Sequence, residues 1–321
     1  MNSDTPRNSR KLKTIEKASR IDYKILSTPN VFKKKLLNLR RQFLSYYFIP
    51  PPMWRVLLRA ASPAKRVRPD FACIGPVRSG TTLLTDYIMQ HPAVALPLAK
   101  ELNIKDAPLM RMVLAQFPTE KQKARVEKEH GKAVTGYCSP VVPGMLFPYF
   151  AHNVSSSAKI VIILRNPVER TFSHWRWDQM AISMVKNDPI WKNTPGFDEI
   201  IRLEMELAKQ GAGAGTSISG TPVGGYLQGS MYLPFIKHLR RFYPEEQVKI
   251  VNANAFFKDP AATAREVYRF LGLPDYEPIP TPVKNAGPKM KLEDKTRDLM
   301  EGFFAPLNEK LYDYIGVDFG W

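Results

Sequence analysis

The chain has 321 residues, 44% of them hydrophobic and 24% charged, which is ordinary globular usage and enough for a core without covalent staples. Two cysteines exclude a disulfide scaffold and a Cys-based zinc site, no pair of the five histidines has helical metal-site spacing, and no apolar run reaches the ~20 residues that cross a bilayer. The net charge of +17 is uneven: residues 1–70 hold 17 basic and 4 acidic side chains (+13), leaving 30 and 26 (+4) for the rest.

The first residues, MNSDTPRNSRKLK, lack the apolar stretch of a secretory signal, so a cytoplasmic protein is expected. Residues 1–69 read as a basic N-terminal extension, partly helical, with residues 70–321 as the main domain. Leu36, Leu37, Arg40 and Phe43 fit a short amphipathic helix that Pro50, Pro51 and Pro52 would break. Such a helix either packs on its own domain or lies peripherally on a membrane surface. The basic segment as a whole is a solvated arm, or it contacts an anionic membrane or another polyanion. No nucleic-acid motif accompanies the charge, and no nucleic-acid partner is expected.

From Asp70 the pattern changes. Phe71–Gly75 is a short apolar run suited to a buried strand, a Gly/Ser/Thr loop follows, and Thr82–Met89 reads as a helix ending before His91 and Pro92. Val94–Leu96 is a second candidate strand, and residues 106–130 look helical. Lys159–Leu164 is the strongest strand, a β-branched run fit for a central parallel position. It stops at Arg165-Asn166-Pro167, and Val168–Met180 reads as a helix. Residues 197–210 are helical, 211–225 are glycine-rich, and Tyr226–Phe242 is predicted as one helix. Val248–Asn252 is another strand and Pro260–Leu271 another helix. Strands alternating with helices predict an α/β fold, a three-layer arrangement with a central parallel sheet flanked by helices, as in P-loop NTPases.

Two motifs carry chemistry. Gly75-Pro76-Val77-Arg78-Ser79-Gly80-Thr81-Thr82 has the strand–loop–helix setting and G-x-x-x-x-G spacing of a phosphate loop, whose backbone N–H groups and helix end hold an anion. Thr81 stands where a nucleotidase loop has its lysine, and the cation has moved inside the loop to Arg78. The second is Arg165-Asn166-Pro167-Val168-Glu169-Arg170-Thr171-Phe172-Ser173. Arg165 ends the best strand, where open parallel sheets bind ligands, and its planar fork suits phosphate oxygens. Ser173 lies about two turns into the next helix, within reach of the same anion. Two anion sites on one sheet edge imply a nucleotide with phosphates in two places.

Together, IGPVRSGTTLL and IILRNPVERTFSHW resemble the sulfotransferases that use 3′-phosphoadenosine 5′-phosphosulfate (PAPS), in the branch that includes bacterial and heparan sulfate enzymes. The resemblance runs over roughly residues 70–321. It also takes in Gly224-Gly225-Tyr226, Asp259-Pro260 and Phe270-Leu271-Gly272-Leu273. It implies sulfuryl transfer, without a metal, from PAPS to a hydroxyl or amine of a small-molecule, lipid or carbohydrate acceptor. Arg78, Ser79, Gly80, Thr81 and Thr82 match the loop for the donor's 5′-phosphosulfate, Arg165 and Ser173 the pair for its 3′-phosphate, and Tyr226 a further donor contact. Lys100-Glu101 matches the family's Lys-Glu segment, with Glu101 as general base, while Arg78 and Lys100 are placed to stabilise the developing charge. His91 is a competing base.

The chain departs from the family in two places. Gly136-Tyr137-Cys138-Ser139-Pro140 stands where relatives carry Lys-Ser-Pro, so a cation near the donor is missing. Near the C-terminus Lys284 or Lys289 takes the place of a Lys-Gly-Arg loop. The alternative readings are a P-loop nucleotide kinase or NTPase, and a non-enzymatic basic adaptor.

Overall fold

A computed structural model describes residues 53–101, 110–140, 147–183, 196–209, 225–282 and 290–321. Four strands form one parallel sheet in the order β2-β1-β3-β4: β1 is Phe71–Gly75, β2 Gly136–Pro140, β3 Lys159–Leu164 and β4 Val248–Asn252. The chain leaves β1 for β2 on one side and returns to β3 on the other. The connections therefore diverge at β1, and a crevice opens beyond its C-terminal end, where such sheets bind ligands.

Alternation along the strands sorts the core into two layers. On one face Ala72, Ile74, Ile160, Ile162 and Leu164 meet α8 (Tyr232–Leu239) through Phe235, Ile236 and Leu239, and Leu311 of α11 (Asp294–Ile315). On the other, Phe71, Cys73, Val161, Ile163 and Val251 meet Leu84 and Ile88 of α2 (Thr81–Gln90) and Val267, Tyr268 and Leu271 of α10 (Pro260–Leu271). The expected three-layer sheet is present, with β1, β3, β4 and α10 on the bounds read from sequence. A third cluster joins α6 (Pro167–Ser183), α7 (Phe197–Lys209) and α11 through Phe172, Trp175, Phe197, Ile201, Met300 and Phe304.

Val94–Leu96 is not a strand. Val94 makes a single parallel bridge to Val134, and the second strand is instead Gly136–Pro140. Its glycine is required there: a Cβ on Gly136 would lie 2.4 Å from the Phe71 carbonyl oxygen. The region read as one helix over 106–130 divides, within its described part, into α3 (Met110–Leu114) and α4 (Glu120–His130). Between them Pro118 and a Thr119/Gln122 capping box start the second helix afresh. Tyr226–Phe242 also divides, into a 3-10 turn at Gln228–Ser230 and α8. Pro234 has no N–H to give, so it sits in the first turn and the helix begins just before it. Helices α5 (Phe147–Val154), α9 (Ala253–Lys258) and α11 are additional to those read from sequence.

Residues 53–69 are tied to the body of the protein. Val56 of α1 (Met53–Ala61) packs with Leu98, Met112 and Ala115, and Arg59 donates to the carbonyls of Ala115 and Phe117. Arg66 donates to Phe117 O and Arg68 to Asn153 O. Leu36–Phe43, the 211–224 part of the glycine-rich segment, Lys284 and Lys289 lie outside the described residues. Among the described residues no helix is long and apolar enough to cross a membrane.

Candidate functional site

The loop between β1 and α2 is shaped by two left-handed residues, Arg78 (φ 73°) and Gly80 (φ 101°). At Gly80 a side chain is also excluded by contact, since a Cβ would stand 2.8 Å from the Phe257 ring. Gly80 caps α2 with no side-chain hydrogen bond, leaving the first N–H groups of the helix without one. Ser79 is fully buried, and its hydroxyl has no hydrogen-bond partner among the described residues. Thr81 is buried, and its carbonyl accepts from Thr85; Thr82 is half-buried.

The second motif meets this loop directly. Arg78 Nε donates to Ser173 Oγ at 3.3 Å, and Arg165 Nη1 donates to the Arg78 carbonyl at 3.2 Å. Arg78, Arg165 and Ser173 are thus brought into one cluster at the C-terminal sheet edge. The Trp177 ring lies 4.7 Å from the Arg78 guanidinium and the Phe257 ring 5.8 Å from that of Arg165. Burial, then the neighbouring Arg165 and Arg176 charges, bring Arg78 down to about 10. Arg165 is lowered too, chiefly by burial, with Glu169 at 3.8 Å opposing. Both stay cationic at neutral pH, in a setting that penalises their charge.

Sequence reasoning overlooked the device behind this edge. Arg170, 1% exposed, donates to the Val77 carbonyl at 3.1 Å, to Ser230 Oγ at 2.5 Å and to the Tyr226 carbonyl. It ties the phosphate loop to the turn before α8. Gly229 gives it room, since a Cβ there would meet the guanidinium at 2.9 Å. The Glu204 carboxylate accepts from the N–H groups of Tyr226 and Leu227 at 3.0 and 2.7 Å. Tyr226 is itself fully buried, and its hydroxyl donates to Asp178 at 2.9 Å. A signal was present in sequence: Arg170 lies three residues before Ser173 on one helix, a spacing that makes them neighbours.

Glu101 sits beyond the far end of this edge. It bridges to Cys138 in parallel register, and the Cys138 N–H donates to the Lys100 carbonyl at 2.9 Å. The Lys100 side chain is fully buried, with Nζ 3.9 Å from Glu101 Oε1. Burial raises the Glu101 pKa and Asp86 adds to it, while Lys100 opposes. The Lys100 charge also acts on Cys138, so an ammonium stands close to the position where the motif lacks its own lysine. His91 lies at the other end of α2, fully buried. Its Nε2 is 2.9 Å from Pro274 O, and Nδ1 accepts from Ala93 N–H. It belongs to the packing there. His174, held near 3 by burial and by Arg170 and Arg78, stays neutral around pH 7.

A family model described as the sulfotransferase domain matches residues 68–287. The membrane-associated sulfotransferase kil1 of Dictyostelium discoideum is 21% identical, over 79% of this chain and 66% of its own. Heparan sulfate glucosamine 3-O-sulfotransferase 6 of Mus musculus is 24% identical, over 84% and 80%. The crystal structure of a sulfotransferase from Alicyclobacillus acidocaldarius superposes with a TM-score of 0.54 at 25% identity, covering 78% of this chain and 97% of that one. The chain thus spans just under two thirds of the length of the first of these relatives. With the phosphate loop, the Arg165 motif and a matching model over more than half its length, the chain belongs to the sulfotransferase domain family.

Proposed function

We propose that the protein transfers a sulfuryl group from PAPS to a hydroxyl or amine of a small-molecule, lipid or carbohydrate acceptor. The observation that carries this reading is the convergence of Arg78, Arg165 and Ser173 on the loop that ends β1. That cluster is rich in buried cationic charge and suited to a doubly anionic nucleotide. The residues fit the donor: the Ser79 hydroxyl has no hydrogen-bond partner among the described residues, and the α2 N-terminus carries no side-chain cap. Arg78, Ser79, Gly80, Thr81 and Thr82 hold the phosphosulfate end. Arg165 and Ser173 hold the 3′-phosphate, and Tyr226 braces the edge through Asp178 and Arg170. Lys289 is a further donor contact by sequence.

When bound, PAPS supplies the sulfuryl group and a phosphate leaving group. Glu101 takes the proton from the attacking acceptor atom onto a carboxylate oxygen, so that a new bond to sulfur forms as the bond to the 5′-phosphate oxygen breaks. Arg78 and Lys100 face the negative charge left on that phosphate. Burial of Glu101 suits a base whose affinity for a proton exceeds that of an ordinary carboxylate. Residues 1–69 bring the enzyme to an anionic membrane surface, a reading supported by their charge and by a relative named as membrane-associated. The test is turnover of labelled PAPS against panels of sugar, lipid and small-molecule acceptors, with calorimetry of adenosine 3′,5′-bisphosphate. The reading fails if the bisphosphate does not bind in the presence of chelator.

A further inference from the structure

The outer surface of α1 has no part in the chemistry above, and it is unusually apolar. Met53, Trp54, Leu57 and Leu58 are 52%, 42%, 50% and 64% exposed. At about 100° per residue they fall on one continuous arc. The opposite side of the helix is fixed: Val56 is buried against Leu98, Met112 and Ala115, and the Arg59 bonds to Ala115 O and Phe117 O prevent the helix from rolling. Met110, 38% exposed, belongs to α3, which packs beside it. The apolar arc is therefore held outward by the fold.

The surrounding sequence is cationic to the exclusion of anything else. Residues 23–69 contain eleven Lys and Arg and no Asp or Glu. An occupant of this surface must accept both large apolar side chains and a field of positive charge. A second copy of the chain would set like charges against each other. A nucleic acid or sulfated glycan would satisfy the cations but gain nothing from Trp54, Leu57 and Leu58. A bilayer containing anionic lipid meets both demands, since its headgroups attract Lys and Arg while the acyl boundary takes up apolar side chains.

We propose that α1 docks on an anionic membrane by inserting Met53, Trp54, Leu57 and Leu58, with the charge of the basic sequence drawing it there. This deepens the reading of residues 1–69 as a membrane-contacting region and rests on it. The experiment uses the full chain with vesicles of phosphatidylcholine alone or mixed with phosphatidylserine, comparing wild type with the double variant Leu57→Glu/Leu58→Glu. Both replaced side chains are at least half exposed, so folding is retained, and an unchanged melting curve checks this.

Wild type should partition onto the phosphatidylserine vesicles, and the double variant at least about tenfold less. The Trp54 contribution to fluorescence, taken as the difference from Trp54→Phe, should shift to the blue on binding. Failure of wild type to bind either vesicle overturns the peripheral reading and the docking face together. Equal binding by wild type and the double variant overturns the α1 face alone and leaves attraction by the basic segment. Shielding of Trp54 from acrylamide without vesicles shows the arc already covered, by residues 31–49 or a second copy, and also overturns the proposal.

Discussion

Replacing Arg165 by alanine separates a ligand-binding arginine from a structural one. Within the protein, Arg165 makes one hydrogen bond to the Arg78 carbonyl, a loose 3.8 Å pairing with Glu169 and a 5.8 Å contact with the Phe257 ring. The first, from a charged donor, is worth about 1.5 kcal/mol and the second about 0–1 kcal/mol. Against this, its removal relieves Arg78 of a neighbouring like charge. The net change in stability should stay within about 2 kcal/mol, or about 4–8 °C in melting temperature. Loss of a charge-assisted, bidentate contact to phosphate costs more, about 2–3 kcal/mol, which is roughly 30- to 150-fold in Kd. Calorimetry with adenosine 3′,5′-bisphosphate and a melting curve on the same sample measure both. Arg165→Lys should fall between, because it keeps the charge and loses the fork. A Kd within about threefold of wild type would refute the reasoning, since it is below the contribution of even one such contact. So would a loss of binding matched by a large fall in melting temperature.

Three further outcomes are expected. Glu101→Gln should lower kcat by about 10²–10⁴-fold with the bisphosphate Kd unchanged. In wild type, kcat/KM should fall as pH drops through the Glu101 pKa, which burial raises from its ordinary value, because only the ionised form takes a proton. An acid limb that Glu101→Gln leaves unchanged would contradict the assignment. Arg170→Met takes from the Val77 carbonyl its Arg170 donor, leaves the Tyr226 carbonyl and the Ser230 hydroxyl with Thr171, and removes the cation beside the buried Glu204 carboxylate. It should cost about 3–5 kcal/mol in urea unfolding, and a loss under 1 kcal/mol, about the worth of a single hydrogen bond, would show the clamp is not needed. His174 is lowered from its ordinary value to about 3, so the unfolded chain binds its proton first. Stability should fall as pH drops from about 6.5 towards about 3, and His174→Phe should flatten that limb; an NMR titration of the ring near 6.5 would exclude this.

The parts of this fold that sequence made legible are those whose residues act alone. Ile160–Ile163 is an unbroken β-branched run and is buried throughout, and Pro260–Leu271 carries an Asp259 cap at one end and Gly272 at the other. Gly136–Pro140 escaped because glycine, serine and proline disfavour strands, and only the fit of Gly136 against Phe71 explains it. Helix α11 escaped because its buried ridge, Thr296, Met300, Phe304, Asn308 and Leu311, includes two polar residues, so the apolar period of the helix is interrupted. At the site, the loop and Arg165 announced themselves by spacing. The roles of Arg170 and Glu204 depend on carbonyls and N–H groups far off in sequence, which no local pattern encodes.

Arg78 is the only non-glycine residue with a left-handed backbone among those described. An L-residue there carries a penalty of about 1–2 kcal/mol that glycine would avoid. One of the loop's two left-handed positions and the loop's own cation therefore fall on one residue, and they pull selection in opposite directions. A laboratory screen that rewards heat resistance alone should enrich Arg78→Gly and return a sturdier chain that no longer turns over. On the role proposed for Arg78, the arginine gives up durability for chemistry.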